Sequence, residues 1–506
     1  MSHVIGIDVG TSGIKVASMD RTGICVDREY KSYSLLFPKK GYVEIDPNHI
    51  WEIINSLLEI VWNKVSGKGE VDAVSLSCFC NSSIFMDEHG RALTNGIMYL
   101  DQRSKEEASS IKEKIGEEKI FHITGNRVEP GMHTVTTKLW TKKHHPQIYS
   151  SSYKWGSLST FILHKLTGKF VMDWTHASFT GLFDIHSYQW SKRICDELEL
   201  DEKKLPEIHD PKSIIGDLTL PNLFSAKHVP VIAGAADTAC SAYSLGIEKN
   251  ELFESIGTSN VLTVCTEDAS LLDKRFLNRC HVERGQWLSH GAMSFPGAAI
   301  DWFYKNFLAG EGHDKSVLNT LAEESIPGSN GVFFLPYMHG ERSPIWDTEA
   351  RGSFVGMSLT TTKPDLYRAV LEGCSFGLKQ IFEIINQQYN VNPSSIPSIG
   401  GGSKNKSWCS IKSTVFNKEF EIKSLSETAV LGACLLAGKA VGYFENFRVP
   451  SEVLDNQTIE KIFPNKEHLS VYEELYSIHS NLYPSLKDFF QQSARSNNLL
   501  EERVRC

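Results

Sequence analysis

The sequence predicts an α/β protein of two domains that face one cleft. Three observations carry this. The chain has 506 residues, more than one hydrophobic core ordinarily serves. The tripeptide Gly-Thr-Ser occurs twice, as Gly10-Thr11-Ser12 in GIDVGTSGIKVASMD and as Gly257-Thr258-Ser259 in ELFESIGTSNVLTVCTED. Each copy follows an apolar, β-branched-rich run and precedes an alternating one, which reads as strand, tight turn, strand. One such hairpin in each half suggests a duplicated fold with two phosphate-gripping turns.

Composition narrows the class. Hydrophobic residues make up 41% and charged residues 22% of the chain, as in a soluble globular protein. The formal net charge of -9 speaks against a nucleic-acid-binding surface. No apolar stretch approaches the roughly 20 residues that span a bilayer, and the N-terminus enters a strand without a secretory signal. The expected location is cytoplasmic, with no membrane and no nucleic acid among the partners. The 11 cysteines are odd in number and scattered. Cys78-x-Cys80 is the one close pair and lacks the second pair or the histidines of a zinc site, so reduced thiols are expected.

The elements follow in order. Residues 1–35 read as a strand meander. A helix is expected from about Pro47, with Asp46 as its cap. VDAVSLSCFC reads as a buried strand, and NSSIFMDEHGRAL as a strand with a turn at Glu88-His89-Gly90. Residues 102–150 are charged and mostly helical, and 151–190 have the mixed composition of a substrate-side insertion. HVPVIAGAADTACSAYSLG reads as a buried strand running into a small-residue helix, after which the chain changes domain. The expected domains are 1–246 and 247–490, followed by a polar tail over 491–506. The second half opens with the repeated hairpin and continues through helices near 297–324 and 363–388. A glycine-rich turn at 400–402 and a small-residue helix at 427–440 follow. With no low-complexity linker, the domains are expected to join closely, as a hinge requires.

Certain residue groups carry chemistry. Asp8 ends a buried strand, where a carboxylate costs several kcal/mol without a partner. It should face a cleft or a cation, and with nucleotide present Mg²⁺, held through waters, is the natural one. The turn after it exposes backbone N–H groups and the Thr11 and Ser12 hydroxyls, and Lys15 can reach back to a phosphoryl oxygen. Asp237 lies where strand meets helix in AGAADTAC. It reads either as a capping carboxylate favoured by the helix dipole or as a general base for a substrate hydroxyl. The glycines of GGGSKN, from Gly400 to Asn405, allow a ligand to lie flat against backbone. Neither G-x-x-x-x-G-K-[ST] nor G-x-G-x-x-G occurs, which weakens ordinary P-loop and dehydrogenase readings. MHGERSPIWDTEARGSFVGM reads as an exposed loop rich in ion pairs, and Asp101 with Arg103 in YLDQRS as a pair at the end of a buried run.

Taken together, DVGTSGIK, LDQRS, GAADTA, SIGTSN, PYMHGERSPIWDTEARGSFVGM and GGGSKNKSW resemble the FGGY carbohydrate kinases, relatives of glycerol kinase, xylulokinase and gluconokinase, over nearly the whole chain. The resemblance implies the actin-like, ribonuclease-H-like ATPase fold, two domains closing on ATP-Mg²⁺ and a sugar. It assigns Asp8 to the metal, Thr11, Ser12, Lys15 and Thr258 to phosphates, and Asp237 to the base. It further places Gly257, Gly297, Gly401, Gly402, Ser403 and Asn405 at the nucleotide and Asp101 and Arg103 near the sugar. Where xylulokinases and gluconokinases usually carry Gln-Met-His, this chain has Phe79-Cys80-Asn81, and glycerol kinases carry an Arg-Glu pair at the last two places. Asn81 is therefore the expected substrate contact at a position that does not fix the sugar. Thr414 stands where the family usually has Asp, away from the transfer chemistry.

The expected activity is transfer of the γ-phosphoryl of ATP to a hydroxyl of a small sugar, first a ketopentose such as xylulose, then gluconate, then a polyol of the erythritol or glycerol type. An actin-fold binding protein without catalysis and a chaperone-type ATPase stand as alternatives. Retention of both Asp8 and Asp237 favours the enzyme over the first, and the sugar-side segments favour it over the second. The partner is a small sugar or polyol. The assembly is left open, with a homodimer as its expectation.

Overall fold

The structure, a computed structural model, describes residues 2–220, 222–223, 228–312, 314–423, 427–444 and 458–504. Its two large sheets repeat one topology. The first contains β1 (Ser2–Gly10), β2 (Gly13–Asp20), β3 (Cys25–Ser32), β4 (Glu70–Cys78), β5 (Ile214–Asp217) and β6 (Pro230–Ala236), in the spatial order β5-β6-β4-β1-β2-β3. The second contains β7 (Leu252–Ile256), β8 (Asn260–Thr266), β9 (Leu277–Cys280), β10 (Trp287–Met293), β11 (Ser395–Ile399), β12 (Glu419–Lys423) and β13 (Thr458–Ile462), in the order β9-β10-β8-β7-β11-β12-β13. Each has an antiparallel hairpin, β1–β2 or β7–β8, whose first strand pairs in parallel with β4 or β11. A second parallel strand follows, β6 or β12. The duplication expected from the two Gly-Thr-Ser turns is thus a duplication of the whole sheet, with β9 added at one edge of the second.

The central strands are buried on both faces because helices cover both sides, as parallel pairing demands. In β1 every residue from His3 to Val9 is buried. Helix α1 (Pro47–Ser66) supplies one cover. Asp46 caps it by accepting from the Asn48 and His49 N–H groups, and Pro47 sits in its first turn. Ile50, Ile53, Ile54, Leu57, Leu58, Val61, Trp62 and Val65 recur at helical spacing and are all buried, each contributing about 1.5–3 kcal/mol on an extended-chain reference.

Among the contacts that join the halves in the described residues, one apolar and one polar group stand out. Helix α3 (Asp237–Ser244) of the first half packs on α7 (Thr428–Ala440) of the second. Their backbones nearly touch: a Cβ on Gly432 would lie 2.1 Å from the Cys240 carbonyl oxygen. Gly432→Val is accordingly expected to wedge these helices apart. The cost is about 1–3 kcal/mol of stability, read by denaturant unfolding, together with weaker nucleotide binding. The other contact is polar. Asn126 exchanges hydrogen bonds with the Asn278 backbone at 2.6 and 2.8 Å, Trp174 Nε1 donates to the His281 carbonyl at 2.8 Å, and Lys212 pairs with Glu283 at 2.7 Å.

Several expectations change. The helix expected over 297–324 is α4 (Pro296–Phe307), followed by short 3₁₀ turns; Gly310 and Gly312, the latter at φ +77°, end the run. The next helix does match its expectation: α5 (Lys363–Tyr389) starts at a capping box between Thr362 and Asp365. The charged segment 102–150 is four helices, with α2 (Thr134–His144) the third of them. The polar tail expected over 491–506 instead continues α8 (Leu482–Val504). Its residues favour a helix as much as they resist burial, and composition alone reported only the second property. The last two residues of that tail, Arg505 and Cys506, lie outside the described residues. Among the described residues the cysteines are free thiols.

Lys138 in α2 is buried with no hydrogen-bond partner among the described residues, its ammonium 4.2 Å from the Trp155 ring centroid. Burial pushes its pKa down to about 7. The unfolded chain therefore binds a proton that the folded chain resists between pH 7 and the ordinary lysine range, and stability rises with pH across that window. Lys138→Met should raise stability at pH 7 by an amount on the order of a few kcal/mol and flatten that slope, as measured by denaturant unfolding at several pH values.

Candidate active site

The first hairpin places Asp8 directly opposite Lys15 in the β1–β2 ladder, with Gly10 opposite Gly13. On the other side Asp8 neighbours Ser77 of β4, whose hydroxyl donates to Asp8 Oδ1 at 2.8 Å. Burial pushes the Asp8 carboxyl up to about 6 against the Ser77 hydrogen bond. The charges of Asp237 and Glu427 push the same way, and Lys15 opposes them. Asp8, Asp237 and Glu427 therefore share one field. Thr11 and Ser12 form the turn; Thr11 Oγ1 is 3.4 Å from the Tyr99 hydroxyl, and Ser12 is exposed.

Asp237 reaches this field through the sheet. Asp8 and Ala235 both stand beside Ser77, on opposite sides of β4. The carboxyl ends of β1 and β6 are thus two strand spacings apart, roughly 10 Å, and Asp237 opens α3 just beyond. Its Oδ1 accepts from the Thr238 N–H at 2.7 Å, as an acid in a first helical turn does. Gly234 makes the approach possible. It sits at φ +72°, and a Cβ there would lie 1.8 Å from the Leu76 carbonyl oxygen. The β6–β4 register shifts at this point, and such an irregularity re-aims the residues that follow.

A buried network holds the same backbone from behind. Thr175 Oγ1 accepts from the Ala236 N–H at 2.8 Å and donates to Asp173. His176 Nδ1 is 2.5 Å from Asp173 Oδ2, and its Nε2 is 3.1 Å from the Cys78 carbonyl oxygen. Burial opposes charge on His176, but Asp173 prevails and holds its pKa well above the ordinary histidine value. Sequence reasoning missed Asp173, Thr175 and His176. The available signal was an N-cap Asp ahead of Trp-Thr-His-Ala, which says nothing of the strand it supports.

The second hairpin gathers the other candidates. Gly297, in the first turn of α4, has no room for a side chain: its Cβ would lie 1.9 Å from the Gly257 carbonyl oxygen. The Ala298 N–H donates to the Thr258 carbonyl at 3.2 Å. Gly400 and Gly402 press on Ile256, while Gly257 and Gly401 have open space where a Cβ would stand. The turn, the α4 N-terminus and the glycine loop therefore converge on one backbone surface. Gly297→Ala is expected to push the Gly257-Thr258 turn aside and cut ATP affinity by about tenfold or more, at a stability cost of only about 1–3 kcal/mol, measured by calorimetric titration and thermal unfolding.

Other candidates are placed differently. Ser403 and Asn405 turn inward. The Ser403 hydroxyl donates to the Gly400 carbonyl at 2.7 Å. Asn405 caps α6 (Lys406–Phe416) through the Trp408 N–H and donates to the Tyr367 hydroxyl at 2.9 Å. They hold the glycine loop rather than line it with their side chains. Asn81, expected to touch substrate, is fully buried, and its amide nitrogen donates to the Phe179 carbonyl at 2.5 Å. Asp101 and Arg103, expected near the sugar, are a buried pair. Arg103 binds Asp101 at 2.8 Å and Glu44 at 2.7 Å beneath the Tyr42 ring, and Asp101 Oδ2 also accepts from the Val43 N–H. Both Asp101 carboxylate oxygens are committed within the fold, whereas Asn81 Oδ1 is buried with no partner among the described residues, a costly state for a polar atom.

A groove of about 560 Å³ opens on Asp8, Gly10, Ser12, Lys15 and Glu427. Among the described residues, no three His, Cys, Asp or Glu side chains form a metal cage. A buried carboxylate disfavoured by burial, beside further acids, fits a hydrated Mg²⁺ that shares its ligands with phosphate and water. No helix of the described residues is long and apolar enough to cross a membrane.

The N-terminal domain model of the FGGY family of carbohydrate kinases matches residues 3–244, and the C-terminal domain model matches residues 252–441. The chain is similar to the xylulose kinase of Staphylococcus xylosus, 28% identical over 491 residues that cover 96% of this chain and 100% of that protein. It is also similar to the gluconokinase of Bacillus licheniformis, 26% identical over 516 residues with 99% of each chain covered. The crystal structure of ligand-bound xylulose kinase from Lactobacillus acidophilus superimposes with a TM-score of 0.87 at 26% identity, covering 97% of this chain and 100% of that one.

Proposed function

The chain belongs to the FGGY family of carbohydrate kinases, and from that premise we propose that it phosphorylates a small ketose, xylulose first, with Asp237 as the base and Asp8 as the metal-side acid. The observation that carries this reading is the pairing of Asp8 and Asp237 at the carboxyl ends of β1 and β6, on either side of Ser77.

The chemistry follows from that arrangement. A sugar hydroxyl oxygen attacks the γ-phosphorus of ATP, the bond to the β–γ bridging oxygen breaks, and ADP leaves. The hydroxyl proton passes to Asp237, which stands in the first turn of α3 just beyond the carboxyl end of β6. The Gly10-Thr11-Ser12 turn and Lys15 offer donors to the phosphates from one half, and Gly257 and Thr258 from the other. Asp8 would hold Mg²⁺ through its waters, and the ion would supply neutralisation of the phosphate charge. Closure about the α3–α7 contact brings the turns together and excludes water as a competing acceptor.

Xylulose is preferred because several similar relatives carry that name, with gluconokinases close behind. A panel of sugars, sugar acids and polyols with ATP and Mg²⁺, read as ADP formation, tests the assignment. The expected result is a kcat/KM for xylulose at least about tenfold above gluconate, a difference of about 1.4 kcal/mol in transition-state binding. The reverse order would move the substrate to the sugar acid.

A further inference from the structure

The segment over 338–357, expected to be an exposed loop rich in ion pairs, is instead anchored beside the second hairpin through Ser343. The Ser343 N–H donates to the Ala292 carbonyl at 3.2 Å, and Glu341 and Asp347 exchange backbone hydrogen bonds at 2.8 and 3.0 Å. Glu341 is only 5% exposed. Its Oε1 accepts from the Ser294 and Arg342 N–H groups at 2.7 and 2.8 Å, while its Oε2 is buried without a partner among the described residues. Arg342 Nε donates to the Ser294 hydroxyl at 3.1 Å. Among the described residues neither terminal nitrogen of Arg342 makes a hydrogen bond or ion pair. A half-buried guanidinium without an anion is costly to keep and marks a place where an anion arrives.

Its position names the anion. Ser294 directly follows β10, whose last residue, Met293, pairs with Asn260, the first residue after the second turn. Arg342 therefore stands at the base of the second turn. Tyr99 of the first half is near enough for its phenol to act on the Arg342 charge, and the Tyr99 hydroxyl is 3.4 Å from Thr11 Oγ1 of the first turn. One arginine thus stands by the second turn, within electrostatic reach of the side chain that touches the first. Lys15 and Arg28 also face the groove, but from the first half.

We propose that Arg342 contacts the γ-phosphoryl group of ATP and stabilises its charge as it crosses the cleft, with Glu341 as the positioning residue that fixes the guanidinium through Ser294. This rests on the kinase reading above. The arginine fork matches two phosphoryl oxygens at once and forms no bond; the electrons move as in the transfer already described.

The test compares wild type with Arg342→Ala, Arg342→Lys and Glu341→Gln. Arg342→Ala should lower kcat at least about 100-fold, since arginines in this role contribute about 10³–10⁵, with sugar KM within about threefold. ATP affinity, titrated in the absence of sugar, should fall about tenfold while ADP affinity stays within about twofold, a loss of about 1.4 kcal/mol at the γ-phosphate alone. Guanidinium chloride should restore part of the Arg342→Ala rate, and Arg342→Lys, which keeps charge without the fork, should fall between. Glu341→Gln should lower kcat by a smaller factor without changing ADP affinity. Unchanged kcat in Arg342→Ala, or a rise in sugar KM alone, overturns the assignment. A wild type inert towards every sugar overturns the kinase reading instead, and the ATP-to-ADP comparison still decides Arg342.

Discussion

Asp237→Asn is expected to leave the protein folded and binding ADP while sugar phosphorylation falls by about 10²–10⁴-fold. The substitution is nearly isosteric. An Asn side-chain oxygen can still accept from the Thr238 N–H that now meets Asp237 Oδ1 at 2.7 Å, so the first turn of α3 keeps its geometry. What disappears is the group that takes the hydroxyl proton as the O–P bond forms. The loss should appear in kcat, with sugar and ATP affinities changed little. Thermal unfolding within about 0.5 kcal/mol of wild type would show that the scaffold is intact. Turnover close to that of wild type would remove Asp237 from the role and leave it a helix-capping acid.

The second large effect concerns stability beneath the second turn. Lys412 and Glu254 are completely buried, and the ammonium lies 2.6 and 2.7 Å from the two carboxylate oxygens. Ser398 and Asn260 donate to the same carboxylate at 2.6 and 3.0 Å. Glu254 lies in β7 just before Ile256-Gly257, and Asn260 just after the turn, so this cluster sets the base on which Gly257 and Thr258 stand. Lys412→Met removes one partner and strands a buried carboxylate, at a cost of about 3–5 kcal/mol. Replacing both residues, Lys412→Met with Glu254→Gln, should recover more than half of that loss, because no charge is then left unpaired. Denaturant unfolding of the two variants measures this, with separate transitions for the halves analysed separately. A single variant as stable as wild type would mean that the pair does not carry the hairpin.

The sequence showed what is local. Both hairpins were legible because β-branched runs meet at a tripeptide turn, and α1 because Asp46 and Pro47 mark its start ahead of a helical apolar stripe. The duplicated order of the sheets was only implied, since strand pairing over long separations leaves no periodic trace. Asp8 and Asp237 could be named singly, but the Ser77 position between them appears only when β4 enters between β1 and β6. Asn81, Asp101, Arg103, Ser403 and Asn405 show the limit most clearly. Each is a polar residue in a motif, and composition does not say whether its polar atoms meet solvent, ligand or backbone. Here most of them meet the protein, while Asn81 Oδ1 is buried with no partner among the described residues. Arg342 shows the converse: it was read within an exposed ion-pair loop, yet it is half-buried against Ser294 with no ion pair among the described residues. Glu254 and Lys412, separated by 158 positions, carried no signal at all.

The most direct measurement is a crystal structure with Mg²⁺, a non-hydrolysable ATP analogue and xylulose. The terminal phosphate should lie between the Thr11-Ser12 and Gly257-Thr258 turns, with an Asp237 carboxylate oxygen within hydrogen-bonding distance of the acceptor hydroxyl. A triphosphate bound to one turn alone in the closed state, or an acceptor hydroxyl facing any group but Asp237, would contradict the account.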